Sequence, residues 1–416
     1  MRILWLCNVE LPIISEYREK TPCPFGGWLD ETSRFFSEHN EFTVLYPDKE
    51  SYRGRFGNLS YYSFSSNDAY CVLSEILKEK EYDIYHIWGT EYRHSLQCVE
   101  ILEKIGKLNR CIVNIQGLVS VIFNHCTDGL PYRVINHRTL KEIIYRGNIA
   151  DDARLFREKG HLEIEVLSKV KNVIGRTEWD RACVNNINPN VRYFHCNENL
   201  RKCFYESKWD INNICRKTIF LSQCAYPLKG LHYLLEALAL VKVQIPDVRI
   251  VTTGEDLFKY ERKKWKLRTY SRYILELIKK YDLKNNIEFL GILDAEKMKN
   301  EYLKANIFVC PSTIENSSNS IGEAMILGCP VIASYVGGTP SLIDNNREGY
   351  LYQANSKEML AYYIMKVLNN DEIALSFSKL SRERAIQIHD RDTNNKRLED
   401  VYNNVINEVV SEAEVI

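Results

Sequence analysis

Two glutamates, Glu315 and Glu323, stand eight positions apart around the Ser/Asn-rich run Asn316–Ser320. They belong to the segment PSTIENSSNSIGEAMILGCPVIASYVGG, residues 311–338. Carboxylates are acceptors of fixed geometry and suit sugar hydroxyls. A helix that opens among these small polar residues presents free backbone N–H groups and the positive end of its dipole, which suits a diphosphate. The preceding IFVCPS (307–312) reads as a buried strand, so 313–319 is expected as its carboxyl-end loop and 320–327 as the start of a helix. Ser317, Ser318, Asn319 or Ser320 is expected to cap that helix. The same residues also spell an ordinary capped core helix, with Ala324, Met325 and Leu327 turned inward. The strand–loop–helix setting, more than the pair of glutamates, carries the signal.

SQCAYPLKGLHYLLEAL (222–238) repeats this architecture, with Lys229 and Gly230 opening a helix. A lysine is electrostatically misplaced at a helix N-terminus unless it neutralises a bound anion; a solvated lysine is the plain alternative. The chain has no G-x-G-x-x-G and no G-x-x-x-x-G-K-[ST], so the common dinucleotide and P-loop readings lose their support. In the first half, PCPFGGWLDE (22–31) sets Gly26 and Gly27 where a first strand feeds its helix, as a close approach to a ligand or a tight turn. HIWGTEYRH (86–94) ends another strand with Gly89, Thr90 and Glu91, and VIGRTEWDRA (173–182) ends a third with Arg176 and Thr177. His86 and His94 have no third ligand nearby, which argues against a metal site.

Positioning these groups requires strands whose carboxyl ends point one way. Apolar runs at 2–9, 41–47, 82–89, 110–117 and 172–177 alternate with helical patterns such as 27–38 and 68–80. The alternation restarts with a strand at 218–225 and a helix at 230–243, where Leu231, Leu234, Leu235 and Leu238 share one face. Strands follow at 248–254, 287–291, 307–312 and 330–338. The expected fold is α/β, two Rossmann-like doubly wound domains facing a central cleft. The aperiodic stretch 196–217 reads as the linker, and 124–149 is polar and aperiodic.

The 416 residues suit two or three domains. The 55 basic and 55 acidic residues balance, which weighs against nucleic acid as a partner. The 13 cysteines show no C-x-x-C spacing, and Cys7, Cys23 and Cys310 read as reduced thiols in a cytoplasmic protein. The first apolar run is too short for a signal peptide, and none approaches a membrane span. Peripheral membrane contact stays open: segment 258–281, FKYERKKWKLRTYSRYILELIKKY, is strongly basic with interleaved aromatics. A solvated helix face is its plain reading.

Together these residues resemble the family-4 retaining glycosyltransferases of the GT-B fold, the glycosyl transferases group 1. The resemblance runs through YPLKGLHYLLEAL, IEFLGILDAEKM, YLKANIFVCPS, ENSSNSIGEAMILGCPVIASYVGGTPSLI and REGYLY, from about Thr218 to Tyr352. It is looser in the first half, through GGWL, YDIYHIWGTE and GRTEWDRA. It implies an acceptor-binding domain over 1–205, a nucleotide-sugar-binding domain over 206–384 and a helical segment, 385–416, returning to the first domain. It implies that Glu315 contacts donor-sugar hydroxyls and Glu323 the ribose. The backbone N–H groups of Ser318, Asn319 and Ser320 would hold the distal phosphate, Lys229 the diphosphate leaving group, and Gly26 and Gly27 would approach that phosphate. The nucleobase would lie by Gly254, Glu255 and Ile292; Gly89, Thr90, Glu91, Arg176 and Thr177 would face the acceptor.

Two positions depart from the family pattern. Gln223 and Cys224 stand where an arginine is usual, so Gln223 takes that donor-side place. Gln116 stands where a histidine is usual; it can hydrogen-bond but not titrate. The catalytic set is then Lys229, Glu315 and Gln116, with no metal or other cofactor. The substrates are a nucleotide sugar, read as a UDP-sugar, and a glycan or lipid-linked hydroxyl acceptor in bacterial polysaccharide or glycoconjugate synthesis. The alternatives are another GT-B nucleotide-sugar enzyme, an epimerase or sugar-phosphate synthase, or a non-catalytic nucleotide-binding subunit.

Overall fold

Strand Arg2–Leu6 (β1) alternates its side chains between two apolar layers. Ile3 and Trp5 pack with Phe36, Phe42 and Trp88 on one face; Leu4 and Leu6 pack with Leu45, Leu73 and Val113 on the other. A strand covered on both faces must be apolar throughout, which is why it reads as an unbroken run. The computed structural model describes residues 1–21, 26–144 and 147–414; Cys23 therefore lies outside the described residues, whereas Cys7 and Cys310 are buried.

Glu41–Pro47 (β2), Arg53–Phe56 (β3), Leu59–Phe64 (β4), Ile84–Trp88 (β5), Cys111–Asn114 (β6), Asn172–Gly175 (β7) and Arg192–His195 (β8) complete the first sheet, ordered β3-β4-β2-β1-β5-β6-β7-β8. All its pairings are parallel except β3 with β4. The helix Arg391–Glu414 closes one face: Leu398, Val401, Tyr402 and Val405 join the Trp5 layer. Trp5 Nε1 donates to Tyr402 Oη at 2.9 Å, and His86 Nδ1 lies 2.6 Å from the same oxygen. Burial pushes the His86 pKa down to about 3, so this histidine is a neutral core group.

The second sheet comprises Thr218–Leu221 (β9), Arg249–Thr252 (β10), Ile287–Phe289 (β11), Ile307–Cys310 (β12), Val331–Ser334 (β13) and Gly349–Tyr352 (β14). Its order is β11-β10-β9-β12-β13-β14, all parallel. The helix Leu231–Gln244 covers it with Leu231, Leu234, Leu235 and Leu238, all fully buried.

The chain divides into two compact units: Met1–Val121 with Arg157–Arg201 and His389–Ile416, and Ile122–Phe156 with Lys202–Ile388. Residues 122–156 thus go with the second unit, whereas the sequence reading set them in the first domain. The physical anchor is Glu142, buried and accepting from Thr139 N, Thr139 Oγ1, Thr269 N and Thr269 Oγ1. Arg133 pairs with Glu276 at 2.8 Å and Arg268 with Asp152 at 2.6 Å. In the 196–217 stretch, Trp209 is buried and donates Nε1 to the Ala305 carbonyl at 2.8 Å.

Candidate active site

In the second sheet β9 pairs with β10 on one side and β12 on the other, so the strand order reverses between β9 and β12. Open parallel sheets bind ligands beyond the carboxyl ends of the strands at such a reversal. The β9 loop carries Lys229, at the end of the one-turn helix Pro227–Lys229, and the β12 loop carries Glu315. The structure brings them together: Lys229 Nζ donates to Glu315 Oε1 at 2.6 Å. Ser312 Oγ donates to the same oxygen at 2.7 Å and is the member of this cluster the sequence reading passed over. Its signal was a hydroxyl three residues before the glutamate at a strand end.

Backbone contacts fix the two loops. Thr313 N donates to Leu228 O at 2.9 Å, and Gly338 N to Glu315 O at 2.9 Å. Gly230 is left-handed, φ 70°, and a Cβ there would lie 1.8 Å from the Pro311 carbonyl oxygen. Only glycine allows both that conformation and that approach. Burial opposes the Lys229 charge, but the Glu315 carboxylate and the Tyr226 hydroxyl beside it raise its pKa above the usual lysine value. Lys229 therefore offers a fixed cation.

The helix after β12 spans Asn319–Leu327, one residue earlier than expected. Ser318 is its N-cap residue, in extended conformation, and its own side chain makes no capping hydrogen bond. Ser318 and Glu323 are buried; Asn319 and Ser320 are half-buried at the helix start. Gln223 is exposed, and its Oε1 lies 3.4 Å from Tyr226 Oη. Cys224 turns inward to the Thr253 carbonyl at 2.9 Å, and burial pushes its thiol up to about 11. Of the two residues in the arginine's place, Gln223 is the one at the surface. Gly254 and Gly291 exchange backbone hydrogen bonds of 2.9 and 3.0 Å just beyond β10 and β11. Beside them Glu255 is exposed and accepts from Tyr260 Oη at 2.5 Å, and Ile292 is almost fully exposed.

The remaining candidates belong to the first unit and are held by its own partners. A Cβ on Gly26 would lie 2.9 Å from the Glu10 carbonyl oxygen, and one on Gly27 3.3 Å from Arg201 Cδ. Gly89, Thr90 and Glu91 follow β5. Thr90 Oγ1 donates to buried Glu163 at 2.6 Å, and Thr90 N to Glu91 at 3.0 Å. Burial raises the Glu163 pKa to about 7, and burial also raises that of Glu91. Arg176 pairs with Glu198 at 2.8 Å, both nearly buried. Glu198 also accepts from Gln116 Nε2 at 3.0 Å and Asn114 Nδ2 at 3.2 Å. Thr177 forms a capping box with Asp180 at the helix Glu178–Ile187. Glu163 and Glu198 carried no local sequence signal, because their partners lie far along the chain. His94 stacks on Tyr92, apart from any metal-like cluster; among the described residues no group of three potential ligands occurs.

Residues 207–384 match the family Glycosyl transferases group 1. Putative glycosyltransferase YtcC of Bacillus subtilis is 25% identical over 204 residues, 49% of this chain and 48% of that protein. The poly(ribitol-phosphate) alpha-N-acetylglucosaminyltransferase of Staphylococcus aureus is 26% identical over 308 residues, 71% of this chain and 56% of that protein. The chain thus spans about half the length of these curated relatives. The structure of HepE from Anabaena in complex with UDP superposes with a TM-score of 0.66 at 15% identity, covering 97% of this chain and all of that one. The fold is GT-B: two Rossmann-like α/β domains, each built on a largely parallel sheet. Within it, the match to Glycosyl transferases group 1 falls on the second sheet and its helices, residues 207–384.

Proposed function

We propose that this protein is a retaining glycosyltransferase that moves a sugar from a nucleotide sugar, a UDP-sugar, to a hydroxyl acceptor. The observation that carries this reading is the Lys229–Glu315 pair at the strand-order reversal of the second sheet. The family match over 207–384 and the named activities of the relatives support it.

In this reading the Lys229 ammonium neutralises the diphosphate as the glycosidic bond breaks, which is the largest electrostatic contribution the site offers. Glu315, oriented by Lys229 and Ser312, accepts from donor-sugar hydroxyls. Backbone N–H groups of Ser318, Asn319 and Ser320 hold the distal phosphate, and Glu323 accepts from the ribose. The departing phosphate oxygen takes the acceptor proton, so no side-chain base and no metal is required. Gln116 acts by hydrogen bonding, oriented through Glu198. The acceptor is a glycan or a lipid-linked saccharide in polysaccharide or glycoconjugate synthesis, and the reaction takes place in the cytoplasm. A thermal-shift panel of UDP-, GDP- and ADP-sugars tests the donor class, because a ligand stabilises the state that binds it. UDP-sugars are expected to give the largest shift; a preference for ADP- or GDP-sugars would overturn the uridine assignment. Recovery of an epimerised nucleotide sugar without transfer would assign the site to an epimerase.

A further inference from the structure

The segment 122–156 and the basic stretch after β10 meet on the surface of the second unit. The short helix Leu140–Ile144 packs against the one-turn helix Lys264–Lys266. Its inward face is pinned, because Glu142 accepts four hydrogen bonds from Thr139 and Thr269. That pinning dictates the outward face. Leu140 is 58% exposed, Ile143 57% and Ile144 71%, and Trp265 on the neighbouring turn is 52% exposed. Scattered exposed apolar residues are ordinary; four on two packed elements, held there by a buried carboxylate, form a patch.

Charge surrounds it. Between Lys259 and Arg268 six residues are basic and one acidic. Lys263, Lys264 and Lys266 are exposed around Trp265. The acid, Glu261, is already paired with Lys284 at 2.8 Å, and Arg268 with Asp152. Among the described residues Lys263, Lys264 and Lys266 form no ion pair, and Lys266 Nζ sits 5.2 Å from the Trp265 ring centroid.

We propose that this face of the second unit docks on an anionic lipid surface, with Leu140, Ile143, Ile144 and Trp265 entering the headgroup–acyl boundary. The lysines around them contact lipid phosphates. Aliphatic side chains gain from an apolar phase, tryptophan favours the interface, and each lysine adds attraction to anionic headgroups. A soluble polyanion would use the lysines alone and leave the isoleucines in water. The surface is independent of the transferase reading, since binding is measured without turnover.

The test is co-sedimentation of the full chain with vesicles of phosphatidylcholine alone and of phosphatidylcholine mixed with phosphatidylglycerol. Binding is expected only to the mixed vesicles and is expected to weaken with salt. Lys263→Ala and Lys264→Ala should each lower partitioning roughly fivefold, about 1 kcal/mol. Ile143→Ser with Ile144→Ser should lower it by at least about tenfold. Because these side chains point outward, the melting temperature of each variant should stay near that of the parent, which separates lost docking from lost folding. No binding to the mixed vesicles overturns the proposal. Binding that needs the lysines but survives the isoleucine changes also overturns it, because the contact would then be electrostatic alone, with no apolar side chain entering the headgroup–acyl boundary.

Discussion

Lys229→Ala removes the cation at the centre of the proposed chemistry. A phosphate about 4 Å from Nζ, at an effective dielectric near 20, interacts by about 4 kcal/mol per unit charge. If roughly a third of a charge moves onto the leaving diphosphate in the transition state, the lysine supplies about 1.4 kcal/mol of barrier lowering, or about tenfold in turnover. The structure sets this as a lower bound, because Lys229 also orients Glu315 at 2.6 Å. Without it, Glu315 keeps Ser312 and loses its charged donor, for about 1–2 kcal/mol of stability. Nucleotide release under saturating donor and acceptor reads turnover, and urea unfolding reads stability. Lys229→Arg retains the charge and should lose less turnover than Lys229→Ala. A folded Lys229→Ala protein with unchanged turnover would refute the electrostatic role.

Gly230→Ala should destabilise the second unit by about 2–4 kcal/mol, since the new Cβ meets the Pro311 carbonyl and the residue is left-handed; a shift in urea midpoint checks it. Tyr402→Phe leaves Trp5 Nε1 and His86 Nδ1 beneath the C-terminal helix without their shared hydroxyl, and should cost about 2–3 kcal/mol in unfolding free energy. Burial opposes the Glu142 charge, but hydrogen bonds from Thr139 and Thr269 hold its carboxyl below the ordinary glutamate value. Its contribution is therefore full above the unfolded value near 4.5 and is lost as pH falls through the lower folded value. Unfolding curves of the parent and Glu142→Ala should differ at neutral pH and converge in acid. Glu323→Ala should weaken binding of free UDP, measured by calorimetry; unchanged affinity would remove it from the ribose site.

The strands legible in the sequence were those buried on both faces, such as β1, β5 and β12, because double burial leaves an unbroken apolar run. The hairpin β3–β4 and strand β8 were not read. Arg53–Phe56 is mostly exposed and Arg192–His195 is an edge strand of mixed polarity, so neither carries a core pattern. Strand β14 is as short and as buried as β12, but it reads Gly-Tyr-Leu-Tyr: with one aliphatic residue between two tyrosines and a glycine at its start, it lacks the Ile-Phe-Val run that marks β12. At the site, Lys229 and Glu315 were legible because each follows a readable strand. Their mutual contact follows from which strands are neighbours, and only the fold supplies that. Thr177, read as an acceptor-facing residue at a strand end, also caps the following helix, and Arg176, read likewise, forms an ion pair with a glutamate 22 positions on. Glu142 was invisible because its role depends on Thr269, 127 positions away.

The central claim is retaining transfer from a nucleotide sugar at the Lys229–Glu315 site. Proton NMR of the first sugar released from a UDP-sugar, with water as acceptor, reads the anomeric configuration before mutarotation. The account predicts the configuration of the donor, with the signal much reduced in Lys229→Ala. A product of inverted configuration, or one formed at the same rate without Lys229, would contradict it.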